Sequence, residues 1–92
     1  MPITRRQFDL GINDELERVM RSAHGFVIAH PGEAFSEDEL ASDLGIRDEA
    51  SQLLFREGLW KMVEANILQA RDVAGVTYFA PGRFTIDQVL SE

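Results

Sequence analysis

The groups in this chain best suited to chemistry are His24, His30 and a surplus of carboxylates, and their spacing argues against catalysis. An imidazole serves as a general base or a zinc ligand when a second donor stands beside it. His24 and His30 are six residues apart, which puts them on different faces of any helix that holds both. Neither has an acid at a familiar metal-ligand spacing. Sixteen Asp and Glu against nine Lys and Arg give a formal charge of −7, yet no two acids stand out as an acid–base couple. The absence of cysteine removes thiolate nucleophiles, disulfides and Cys-based zinc sites. No phosphate loop, Gly-rich nucleotide fingerprint or Gly-x-Ser-x-Gly elbow occurs. The expectation is a chain that is not an enzyme and carries no cofactor and no metal.

The carboxylates matter in another way. Over residues 36 to 65 stand eight acids (Glu37, Asp38, Glu39, Asp43, Asp48, Glu49, Glu57, Glu64) and three bases (Arg47, Arg56, Lys61), a local charge of −5. Binding to nucleic acid rests largely on neutralising phosphates, so such a segment opposes it. Acids at helix starts complement the helix dipole and keep a small domain soluble. The sharper reading is an acidic docking surface, with Glu37 and Asp38 in it, for a basic partner.

Ninety-two residues, 45% hydrophobic and 27% charged, describe one ordinary globular domain over 1–92. No apolar run reaches the ~20 residues of a membrane helix. The opening MPITRRQFDL lacks the apolar stretch of a signal peptide, so a cytoplasmic location is expected.

Local signals divide the chain. Thr4 and Gln7 form a capping box for a short helix at 5–10 that Gly11 ends, with Phe8 and Leu10 expected to pin it to the core. Asn13 caps a second helix whose Leu16, Val19, Met20, Ala23 and Val27 share one face, and Pro31-Gly32 closes it near His30. Phe35 opens a short extended piece. Ser36 and Glu39 are a capping box for a helix at 37–43, stopped by Gly45. The longest helix runs from 48 to 65 and ends at Asn66 in the left-handed conformation. The hydrophobic period then falls to two, which predicts strands at 67–71 and 76–80 joined by Asp72-Val73-Ala74-Gly75. Thr85 caps a last helix at 86–90.

The stretch FSEDELASDLGI at 35–46, the junction VEANIL at 63–68 and the hairpin ending at Ala80 resemble the winged helix-turn-helix superfamily over residues 13 to 82. The resemblance implies a mostly α fold: three core helices, a two-stranded wing and short terminal helices. It also implies that the third core helix is the recognition helix. Arg47, Ser51 and Gln52 would then approach base edges, while Arg71 and Arg83 hold phosphates. Two features depart from the family pattern. The segment between Ile46 and Ile67 is longer than usual, and Asp48 and Glu49 stand where base-reading side chains normally go.

The third core helix carries a wide apolar stripe. At about 100° per residue, Leu53, Phe55, Leu59, Trp60, Met62 and Val63 spread over roughly half its circumference. Glu57, Lys61 and Glu64 share the other side, Leu54 falls outside the arc, and Arg56 falls inside it. Either neighbouring elements cover this stripe, or Leu54, Phe55 and Trp60 build an interface for a partner or a second copy. Arg56 then lays its stem on the core and pairs with an acid, with Asp48, Glu49 or an N-terminal helix acid available. The leading function is protein interaction or dimerisation through this helix and the acidic face, and the alternative is a dimeric DNA-binding regulator.

Overall fold

Every helix begins at a residue able to satisfy its first free amides, and these caps set the frame that positions the surface described below. The computed structural model describes residues 2–91. The elements are α1 (Arg5–Leu10), α2 (Asp14–Ala29), β1 (Phe35–Ser36), α3 (Glu37–Asp43), α4 (Glu49–Glu64), β2 (Leu68–Val73), β3 (Val76–Pro81) and α5 (Ile86–Leu90). The fold is mixed helix and sheet.

The Thr4–Gln7 capping box of α1 forms, and Gly11 closes that helix at φ 74°. Phe8 does not pin α1: it is 66% exposed. The anchor is Gln7, which is buried. Its Nε2 donates to Asp14 Oδ1 and to Glu17 Oε1, both at 2.8 Å, so the polar end of α1 docks on the first turn of α2. Ile12, buried just beyond, supplies the apolar contact. Asn13 accepts from the Leu16 amide, and Leu16, Met20, Ala23 and Val27 of α2 face the core.

Ser36 and Glu39 complete the capping box of α3. Gly45, at φ 74°, turns the chain toward α4, which Asp48 caps by accepting from the Ser51 amide at 3.0 Å. The long helix therefore begins one residue later than 48. Asn66 takes φ 62°, and the Ile67 amide donates back to the Met62 carbonyl at 2.8 Å, the bond that closes a left-handed helix end.

The apolar stripe of α4 divides in two. Phe55, Leu59 and Met62 are buried and pack on α2. Gly58 lets the two helices approach: a Cβ there would lie 3.1 Å from Met20 Cγ and 3.4 Å from Leu16 Cδ1. Leu53 and Trp60 remain on the outside.

The sheet has three antiparallel strands in the order β1-β3-β2. Phe35 pairs with Phe79 and Ser36 with Tyr78, so the short extended piece joins the hairpin as an edge strand. The hairpin is longer than its period suggests. Val73 pairs with Val76, and only Ala74 and Gly75 form the loop, at φ 53° and 85°. Two positive φ values in a two-residue loop match the twist of the strands. Asp72 and Val73 are thus strand residues.

A radius of gyration of 12.7 Å matches the ~12 Å of a compact chain this long, so the terminal helices pack with the rest. Among the described residues no helix is long and apolar enough to cross a membrane.

Candidate interaction surface

Leu53, Arg56 and Trp60 recur at spacings of three and four along α4 and so share one outward row. Trp60 is 42% exposed and Leu53 58% exposed, although burying a large side chain is worth about 1.5–3 kcal/mol. The indole meets Phe79 of β3 edge to face, with centroids 5.4 Å apart at 73°. The ring is thus held against the hairpin on one side and leaves part of its surface outward.

Beside it lies a shallow cleft of about 340 Å³ between α3, α4 and β3, lined by Glu37, Asp38, Arg56, Trp60, Val76 and Phe79 among others. Three elements place these groups. The capping box turns the chain at Ser36, so Glu37 and Asp38 follow on the first turn of α3. The spacing along α4 places Arg56 one turn before Trp60, and the β1–β3 register brings Phe79 beside Phe35. Arg56 Nε donates to both carboxylate oxygens of Glu37 at 3.1 Å. That carboxylate raises the pKa of the guanidinium above its ordinary value. The partner of Arg56 is thus Glu37 of α3, and not Asp48 or Glu49, which stand about two turns away along the same helix. Thr77, which also lines the cleft, donates its hydroxyl to Asp72.

The chain matches no family model, no curated protein and no solved structure.

The structure gathers Glu37, Asp38 and Trp60 into one cleft and separates the other two residues expected with them. Phe55 is 1% exposed and belongs to the core, since it faces α2 and not the outward row. Leu54 lies on the far side of α4, in a second groove with Ile3, Phe8 and Glu57. Leu54 and Trp60, expected in one interface, therefore belong to two separate patches.

The residues expected on nucleic acid divide in the same way. Arg47 and Gln52 line one depression with Asp38 and Ser42, and Gln52 Nε2 donates to the Arg47 carbonyl at 3.2 Å. Ser51 heads the row of Phe55, Gly58 and Met62, about 100° around the helix from Gln52. Arg71 sits opposite Tyr78 on β2. Arg83 follows the far end of the hairpin, with its guanidinium 5.7 Å over the Phe84 ring. At ~3.3 Å per strand residue, the two arginines stand roughly 10–15 Å apart along the hairpin and form no single basic patch.

His24 is buried, and desolvation lowers its pKa below 6.5 against the opposing pull of Asp87. The His30 ring rests on Phe26 and Phe35, with Nδ1 3.0 Å from the Phe26 carbonyl. Neither histidine lines the cleft. Among the described residues no cluster of three or more His, Asp or Glu is arranged to hold a metal.

The Arg56–Glu37 pair and the Val76 wall of the cleft had no local signal. They arise where α3, α4 and β3 converge.

Proposed function

We propose that this chain is a non-catalytic winged helix-turn-helix module that docks another protein through the Trp60 cleft and its acidic rim. The order of α2, α3, α4 and the β2–β3 hairpin supports the winged-helix reading, with α4 in the place of the recognition helix. The carrying observation is Trp60 itself: the chain's single tryptophan stands 42% exposed beside Glu37 and Asp38. Exposed aromatic side chains in clefts are the residues that dominate binding energy at protein interfaces, and flanking carboxylates select the partner. Self-association through this face is disfavoured. A two-fold contact sets the same patch on both copies, and each patch carries two carboxylates against one guanidinium, so the two faces meet with like net charge.

The second reading is a DNA-binding regulator, favoured by the shared depression of Arg47 and Gln52. Sedimentation of the chain with mixed-sequence duplex DNA, at low and at physiological salt, separates the two. Docking predicts no DNA-dependent shift at either salt. A shift at low salt that fades as salt rises, and that weakens in the double variant Arg71→Ala, Arg83→Ala, would overturn it in favour of the regulator.

A further inference from the structure

Within the docking reading, on which this inference rests, the cleft also indicates what it accepts. Its lining holds three charged groups, Glu37, Asp38 and Arg56, so its own balance is negative in a chain of net charge −7. Arg56 is held loosely. Its side chain is 57% exposed, and it reaches Glu37 through Nε alone. A guanidinium that offers two parallel N–H donors to a carboxylate makes the stronger contact. Glu37 is the less exposed partner, at 25%, and it is fixed at the start of α3. The carboxylate is thus a built seat, and Arg56 is a flexible occupant of it.

We propose that the Trp60 cleft receives a basic segment of a partner protein, one large apolar side chain flanked by arginine or lysine, and that Arg56 is an internal placeholder which the segment displaces from Glu37. The apolar anchor lies between the outward part of the Trp60 indole and Val76. A flanking cation takes Glu37, and a second takes Asp38. Displaced, Arg56 swings into solvent on its long stem at little cost, because exposed ion pairs contribute little. Charge complementarity fixes the occupant. A nucleic acid would bring phosphates against Glu37 and Asp38, and a second copy would bring a patch of the same net negative sign, with only Arg56 against its two acids.

Panning a random peptide library on the full chain tests this, followed by anisotropy titrations of dye-labelled winners against variants checked for native melting. The variant Val76→Lys blocks the cleft from its exposed rim without touching the core. The expected winners carry Arg or Lys around one aromatic or aliphatic residue and are lost in Val76→Lys. They bind roughly tenfold more weakly to Glu37→Gln with Asp38→Asn, in line with charge-assisted hydrogen bonds. They bind a few-fold more tightly to Arg56→Gln, the outcome particular to a placeholder. Cleft-dependent winners with no basic bias, or binding that weakens in Arg56→Gln, overturn the inference and leave docking standing. The absence of any winner sensitive to Val76→Lys overturns both. Duplex DNA that binds and is released by Arg56→Gln also overturns both, because Arg56 would then be a phosphate contact.

Discussion

Glycine positions show how differently single residues are constrained in this fold. Gly82 follows β3 where the chain crosses back over the α4–β2 junction. A Cβ there would stand 2.6 Å from the Asn66 carbonyl oxygen, 2.8 Å from Ile67 C and 2.9 Å from Leu68 C. All three are backbone atoms, held by the Gly82 amide on Ile67 O and the Phe84 amide on Asn66 O, both at 2.9 Å. They cannot swing aside, so Gly82→Ala forces the hairpin off the helix end. We expect a loss of about 1–3 kcal/mol, the cost of overpacking, seen as a lower urea midpoint. Gly25 lies inside α2 with nothing within 4 Å of a Cβ. There only helix propensity changes, and Gly25→Ala should stabilise by ~1 kcal/mol. A lower midpoint for Gly25→Ala would mean that its open face is covered in solution.

At the scale of elements, the hairpin turn offers the clearest improvement. Ala74 adopts φ 53°, a left-handed conformation that costs an ordinary L-residue about 1–2 kcal/mol. Asparagine tolerates it, and Asn-Gly is a favoured pair for this two-residue loop. Ala74→Asn should raise stability by about 0.5–1 kcal/mol, read as a higher urea midpoint with an unchanged slope. The same residue explains an error of register. Because Ala-Gly is a weak turn signal, the sequence suggests a four-residue loop, and two strand residues are lost from the expected hairpin. The helices were far more legible, since Thr4, Asn13, Ser36 and Thr85 each cap through a side chain acting within three residues. Contacts between distant segments left no trace. Gln7 reads as a cap and is also the buried bridge to α2. Leu53, Phe55 and Trp60 look alike in the periodicity of α4, and only the positions of α2 and β3 decide which is core and which is surface. The site was legible as residue types, an apolar helix beside acids, but its cleft was not.

Across the whole molecule, a polar chain ties both terminal helices to α2. Gln7 of α1 reaches Glu17, Glu17 accepts from Arg21, and Arg21 Nη1 reaches Asp87 of α5 at 2.7 Å. His24 is buried one turn beyond Arg21, and this places a pH dependence in the stability. Burial holds its folded pKa below the unfolded value of 6.5. Above pH 6.5 the ring is neutral in both states, and its contribution to stability is fully present. As pH falls through 6.5, the unfolded chain takes up a proton that the folded chain refuses, and stability declines until the lower folded pKa is reached. The slope for one proton is at most about 1.4 kcal/mol per pH unit. Most carboxylates titrate nearer pH 4, so in the window from about pH 7.5 to 5.5 the difference between the wild type and a chain lacking this imidazole reports His24. Urea unfolding of the wild type and of His24→Gln across that window should give curves that converge as pH falls, because the wild type loses stability that the variant never had. Parallel curves would show that His24 gains its proton without loosening the packing around α2, and the burial argument would fail.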